Sequence, residues 1–65
     1  MNIIVNQQTV IFEQQVNVTK VIEKGDFLPP YAVLLNDEFL PYSQYQKTWL
    51  KENDKIDIVT AIQGG

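Results

Sequence analysis

Alternation of hydrophobic and polar residues marks the first dozen positions of the chain. Residues 2–6 alternate in this way, which predicts a β-strand, and residues 9–13 carry the β-branched and aromatic side chains typical of a second strand. Only Gln7 and Gln8 separate the two segments, so an antiparallel hairpin is favoured. The turn lacks the common Asn-Gly pair, and the pattern leaves its type open.

A short helix is predicted next. Asn17 is a residue type favoured at the N-cap, and Val18, Val21 and Ile22 follow at helical spacings of three and four. We expect Gly25 to act as the C-cap glycine. Because this segment is rich in β-branched residues, which are weak helix formers, the helix must be stabilised by packing on a sheet.

The middle of the chain is dominated by apolar residues and proline. Residues 27–30 contain two consecutive prolines and predict a loop, since proline holds the residue before it in an extended conformation. Residues 31–35 are apolar without alternation, which is typical of a strand covered on both faces. A polar turn over residues 36–38 leads to a short strand, residues 39–40, which Pro41 ends.

Aromatic residues and a final strand characterise the last third. Ser43 is placed to cap a single helical turn over residues 44–48. Three aromatic residues recur at spacings of three and four and are interpreted as packing under the last strand: Tyr42, Tyr45 and Trp49. Residues 52–55 predict a polar turn, and residues 56–61 predict the last strand.

The order of these elements predicts an α+β fold, in which one helix packs across one face of a sheet. A chain of 65 residues forms one domain with a thin core. We expect a compact unit over residues 1–61 and a flexible Gly-Gly tail over residues 62–65.

Composition excludes several kinds of chemistry. The chain has 65 residues with no cysteine, histidine or arginine, so zinc-finger sites, disulfides and histidine-based nucleophilic catalysis are absent. A net charge of −3 disfavours nucleic-acid binding. Residues 31–35 form the longest apolar run, which is too short to span a membrane. The chain has no basic segment at its start and no cysteine, and together these favour the cytoplasm. We also expect no bound metal or cofactor.

Internal candidates for catalysis or binding are weak. Asp54 and Asp57 are interpreted as a turn residue and a solvent-facing strand residue, because a hard-cation site needs more oxygen ligands. Thr19 and Ser43 lack a histidine to activate them. The aromatic residues are an alternative stacking platform for a base, but only two lysines lie nearby in sequence.

The last four residues offer a different chemistry: Ile62, Gln63, Gly64 and Gly65. Glycine has no Cβ, so a Gly-Gly end is a narrow peptide. Extended, the four residues reach about 13–14 Å, enough to place a carboxylate in another enzyme's active site. This carboxylate is ionised and a poor electrophile, so it needs activation, for example as a mixed anhydride with a nucleotide. The alternative is a frayed end without function.

Three segments resemble the ThiS-like sulfur carrier proteins of thiamine biosynthesis, small members of the ubiquitin-like β-grasp group. These segments are residues 1–6 (MNIIVN), residues 33–41 (VLLNDEFLP) and residues 54–65 (DKIDIVTAIQGG). The resemblance implies a mixed β-grasp sheet with adjacent first and last strands. Two positions depart from the family pattern: Asn53 stands where glycine is usual, and Tyr42 stands where an arginine is frequent. Asparagine tolerates the left-handed conformation, so the turn is expected to survive.

The resemblance also implies a function for the terminal glycines. An E1-like (ThiF-like) adenylating enzyme consumes ATP to activate the carboxylate of Gly65, which becomes a thiocarboxylate. The sulfur comes ultimately from cysteine through a donor such as a cysteine desulfurase, and it passes to a ThiG-like thiazole synthase. Gly64 would let Gly65 enter a tight channel. The chain would thus be a protein substrate and not an enzyme.

Strand alternation suggests where partners dock. If Ile3 and Val5 face the helix, an apolar surface lies on the opposite face: Ile4, Val59 and Ala61. Two alternatives remain open for the whole chain. One is a carrier for molybdopterin synthesis, and the other is a ubiquitin-like modifier or interaction module.

Overall fold

A computed structural model describes residues 1–60 as a five-stranded mixed sheet with one α-helix on one face. The strand order across the sheet is β2-β1-β5-β3-β4. The elements are β1 (Asn2–Val5), β2 (Gln8–Ile11), α1 (Val18–Gly25), β3 (Tyr31–Leu35), β4 (Glu38–Leu40), a 3₁₀ turn (Tyr42–Gln44) and β5 (Lys55–Thr60). The predicted α+β fold is confirmed, and the first and last strands are neighbours. The boundary predicted at residue 61 stays a prediction because the described residues end before it.

Both hairpins close through two-residue turns whose central residues are left-handed. Asn6 and Gln7 have φ of 48° and 71°, and Asn36 and Asp37 have φ of 49° and 71°. Two positive φ angles define a type I′ turn, whose twist matches that of the flanking strands. The predicted boundaries are therefore wrong by a residue or two: β2 begins already at Gln8, and β4 begins within the predicted turn.

The helix begins as predicted but ends differently. The Asn17 Oδ1 accepts a hydrogen bond from the backbone N–H of Lys20 at 2.9 Å, which confirms the N-cap. Gly25 is not the left-handed cap: it is the last helical residue, and Asp26 has φ 57° and donates its backbone N–H to the Ile22 carbonyl. A Cβ at Gly25 would collide with the ring of Phe27, so the glycine is needed for space.

The helical turn predicted over residues 44–48 is wrong, and Ser43 caps nothing. The 3₁₀ turn forms earlier, immediately after Pro41, without a side-chain cap. Residues 45–47 continue as turns, and from residue 48 the chain is held by pairing with the segment around the start of α1. Val18 N donates to Thr48 O at 3.1 Å, and Leu50 N donates to Val16 O at 2.9 Å. This long-range pairing prevents the local helix from continuing.

The core lies between the sheet and α1. Its buried members come from strands, helix and connections alike: Ile3, Phe12, Val16, Val18, Val21, Ile22, Val33, Tyr45, Leu50, Ile56 and Ile58. Of the three aromatic residues predicted to pack under the last strand, only Tyr45 is buried; Tyr42 and Trp49 are 82% and 55% exposed. Only Val33 of β3 is buried. The prediction that β3 is covered on both faces is wrong, because within residues 1–60 only one face of the sheet carries a helix.

Candidate functional site: the C-terminal end of β5

The central strand β5 leads directly into the predicted functional tail. It runs parallel to β1, with Val5 opposite Ile56, and antiparallel to β3, with Tyr31 opposite Thr60. Hydrogen bonding to β3 therefore reaches the last described residue. A strand held between two neighbours provides a rigid base for whatever follows it.

The Asn6 side chain continues the hydrogen bonding between β1 and β5 past Val5, where β1 ends. The Asn6 backbone N–H donates to the Ile56 carbonyl at 3.0 Å, and the Ile58 N–H donates to Asn6 Oδ1 at 2.7 Å. The amide oxygen of Asn6 thus takes the place of a main-chain carbonyl. As a result, β5 is held on both sides up to Ile58.

A second polar cluster fixes the start of β5. Asn36 Oδ1 accepts from Lys55 N at 2.9 Å, and Asn36 Nδ2 donates to Asp54 Oδ1 at 3.2 Å. The other carboxylate oxygen of Asp54 accepts from Lys51 N at 2.8 Å, which confirms Asp54 as a turn residue. Asn53 has φ 69°, so the turn survives without glycine as expected. These bonds set the register of β5.

The residues predicted to carry the chemistry lie outside the described residues. They are Ala61, Ile62, Gln63, Gly64 and Gly65. Their roles stay predictions. The structure instead describes the strand to which they are joined and the surface around its end.

Ile4 and Val59 both face away from the helix, but they lie far apart along the sheet. Ile4 is half-buried opposite Lys55, at the start of β5, whereas Val59 is 54% exposed near its end. Val59 lies four residue steps after Lys55 along the strand, which corresponds to about 13 Å. The two residues therefore share a face without forming one contact point, and their role in docking stays a prediction.

Three apolar residues that sequence reasoning missed lie nearer to Val59. Ala32 pairs with Val59, and Leu34 and Phe39 pair with each other on the same face. We call Ala32, Leu34, Phe39 and Val59 the open-face patch. A shallow groove of about 270 Å³ adjoins it, lined in part by Pro30 and Thr60. Only the strand register shows this patch, because residues 31–35 are apolar without alternation.

An ionic group lies between Ile4 and the open-face patch. Lys55 Nζ is 2.8 Å from Asp37 Oδ1 and 4.0 Å from Asp57 Oδ2. The hydrogen bond and charge of Asp37, with a smaller contribution from Asp57, raise the pKa of Lys55 against the opposing effect of desolvation. The lysine therefore stays protonated. The Asp57 side chain lies at the solvent-facing side of β5, as predicted.

Two further findings concern residues 1–60. No three acidic residues in this range come close enough to hold a metal ion. No helix in the same range is long and apolar enough to cross a membrane.

Comparison with known structures shows the same fold. A crystal structure of the thiamine biosynthesis protein ThiS from Geobacter metallireducens matches with a TM-score of 0.83 at 25% identity, covering 100% of both chains. An NMR solution structure of a thiamine biosynthesis protein from the same organism matches with a TM-score of 0.81 at 28% identity, covering 100% of this chain and 88% of that one. No curated protein matches the sequence.

The mixed five-stranded sheet and single helix make this a ubiquitin-like β-grasp protein. The sequence model of the ThiS family matches residues 1–65. The chain therefore belongs to the ThiS family, and this membership supports a sulfur-carrier role.

Proposed function

We propose that the chain is a sulfur carrier for thiazole formation in thiamine biosynthesis, and that its reactive group is the carboxylate of Gly65. The observation that carries this proposal is the family match over residues 1–65, which includes both glycines at the end of the sequence. The chain has no cysteine or histidine, so it supplies neither a thiol nor an imidazole for the reaction. It acts as the acyl substrate, and its partners supply catalysis.

The chemistry has two balanced steps. The carboxylate of Gly65 attacks the α-phosphorus of ATP on an E1-like (ThiF-like) enzyme, which gives an acyl adenylate and releases pyrophosphate. A hydrosulfide ion, released from the persulfide of a desulfurase-type donor by a reducing thiol that becomes a disulfide, then attacks the acyl carbon. The carbon–sulfur bond forms, the carbon–oxygen bond to AMP breaks, and AMP leaves. The resulting thiocarboxylate donates its sulfur on a ThiG-like thiazole synthase.

We assign docking of the adenylating enzyme to the face of the sheet opposite α1. The sequence places Ile4, Val59 and Ala61 there, and the open-face patch adds apolar area beside the end of β5. Phe39, 66% exposed, is the largest exposed side chain of the patch. The net charge of −3 suits a basic surface on the partner and accelerates encounter.

Intact mass spectrometry tests the carrier chemistry. The chain is incubated with ATP, magnesium, a ThiF-like enzyme and a sulfur donor. We expect a gain equal to the mass difference between sulfur and oxygen, and no gain for a chain lacking Gly65. An unchanged mass, or the same gain without Gly65, would refute the proposal. Adducts on lysine side chains would instead support a ubiquitin-like modifier.

A matched pair of variants tests the docking surface. Val59→Glu places a charge in the open-face patch, whereas Ile11→Glu places one on the same face at the far edge strand β2. Both side chains are exposed, so both variants should fold. We expect Val59→Glu to slow adenylation at least tenfold and Ile11→Glu to leave it nearly unchanged. Equal rates for the two variants would place docking elsewhere.

A further inference from the structure

A second concavity lies on the helix side of the sheet, away from the open-face patch. It is a groove of about 490 Å³ between α1, the start of β3 and the segment around the 3₁₀ turn. Its volume falls within the range of about 300–1,000 Å³ that small-molecule sites occupy. The carrier chemistry proposed above makes no use of it.

All three tyrosines of the chain line this groove. Tyr42 and Tyr45 form an edge-to-face pair with ring centroids 5.3 Å apart and planes at 74°. Tyr45 is buried, Tyr31 is half-buried, and Tyr42 exposes 82% of its surface. Burial, together with the nearby Tyr31 and Tyr42 hydroxyls, raises the pKa of Tyr45, so this phenol stays neutral at physiological pH. The groove therefore presents a cluster of aromatic rings, one of them freely accessible.

Among residues 1–60, Glu23 is the only charged side chain that lines the groove. The nearest cation to Glu23 among the described residues is Lys20 Nζ, 3.7 Å from Oε1, in a pair whose two side chains are well exposed. An exposed pair of this kind is weak and exchanges readily with other cations. Within the described part of the chain, no lysine lines the groove itself. An anionic ligand would meet the Glu23 carboxylate, and the nearby Lys20 lies outside the lining.

We propose that this groove binds a small alkylated organic cation. The faces of Tyr42 and Tyr31 would contact the cation, and Glu23 would supply the counter-charge. Aromatic rings attract cations through their quadrupole, and quaternary ammonium groups are recognised in this way. A quaternary cation is favoured over a primary amine because an ammonium group is compact and strongly hydrated. This inference does not depend on the sulfur-carrier proposal.

Backbone amide NMR of the full chain tests the proposal with three probes at equal ionic strength. Choline is the cation, 3,3-dimethyl-1-butanol is its neutral isostere, and ethanolamine represents a primary ammonium group such as a lysine side chain. We expect saturable shifts with choline near Glu23, Tyr31 and Tyr42, and affinity at least about fivefold lower for the neutral isostere. Equal affinity for the isostere, or unsaturable shifts, would overturn the proposal. Tighter binding of ethanolamine would also overturn it and would indicate a lysine side chain.

Variants separate the groove from the rest of the surface. Tyr42→Ala and Glu23→Gln alter exposed side chains, so both should fold, and each should weaken choline binding severalfold. Lys20→Gln removes the cation that competes for Glu23 and should strengthen choline binding. Phe39→Ala, on the opposite face, is the control and should leave the affinity unchanged. If Tyr42→Ala and Glu23→Gln bind choline as the unmodified chain does, the cation is not held in this groove.

Discussion

Asn6 connects a hairpin turn to the central strand, and its replacement should destabilise the fold in two separable ways. Its Oδ1 accepts the Ile58 N–H at 2.7 Å in a partly buried position. Removing this acceptor leaves a backbone donor unsatisfied, which costs about 1–3 kcal/mol. Asn6 also has φ 48°, a left-handed conformation that costs most residues with a Cβ about 1–2 kcal/mol.

Three variants of Asn6 divide these contributions. Asn6→Gly removes the acceptor but tolerates the left-handed backbone, so we expect a loss of about 1–3 kcal/mol. Asn6→Ala suffers both effects and should lose about 2–5 kcal/mol. Asn6→Asp keeps an acceptor oxygen and should lie closest to the unmodified chain. A chain of this length has a total stability of about 3–10 kcal/mol, so the loss expected for the alanine variant is a large fraction of the total.

Urea unfolding followed by circular dichroism measures these differences, and hydrogen exchange at the Ile58 amide locates them. We expect faster exchange at this amide in the glycine and alanine variants. If Asn6→Gly is as stable as the unmodified chain, the side-chain hydrogen bond contributes nothing. If the glycine and alanine variants are equally stable, the left-handed backbone carries no cost.

Three further predictions concern the core and the buried tyrosine. Leu50→Ala should lower the free energy of unfolding in urea by about 2–5 kcal/mol, because Leu50 is fully buried. The control Lys51→Ala changes an exposed side chain and should alter this free energy by less than about 0.5 kcal/mol. Gly25→Ala should lower the free energy of unfolding by about 1–3 kcal/mol, because the new Cβ meets the Phe27 ring. In a double-mutant cycle, Gly25→Ala should cost much less in a chain that already carries Phe27→Ala, and an equal cost with and without Phe27 would refute this explanation. Folding raises the pKa of Tyr45, so the folded state binds this proton more tightly than the unfolded state, and the free energy of unfolding should fall as pH rises above about 10. Tyr45→Phe should make this fall with pH less steep, and an equally steep fall in the variant would contradict the prediction.

The groove and the open-face patch lie on opposite faces of the same sheet. α1 and the 3₁₀ turn contribute to the groove, whereas β3, β4 and β5 form the patch. A ligand in the groove therefore leaves the open-face patch accessible, but it lies beside Tyr31, which pairs with Thr60 at the end of β5.

Local patterns were enough to predict most elements. Alternation over residues 2–6 and apolar character over residues 31–35 identified strands that the structure places at Asn2–Val5 and Tyr31–Leu35. Asn17 is predictable as the N-cap because the capping bond is local: its Oδ1 accepts from Lys20 N three residues on, although its Nδ2 also donates to the distant Gln46 carbonyl. The resemblance of three segments to the ThiS family supplied the topology, and the Gly-Gly end supplied the candidate reactive group.

Errors arose where distant residues compete with local preference. Residues 44–48 have helical spacing, but pairing with the segment around Val16 holds Leu50 in an extended chain. Likewise, apolar residues in β3 do not show which face is covered; only the register against β5 places Ala32 and Leu34 on the open side.

Short-range periodicity and residue type are enough to predict the element types, the helix start, the fold class and the terminal glycines as candidate chemistry. Three features become visible only in the folded chain: the separation of Ile4 from Val59, the open-face patch and the convergence of three tyrosines in one groove. Each of these depends on contacts between residues far apart in the chain. Such contacts are set by strand register and helix packing, which local patterns do not encode.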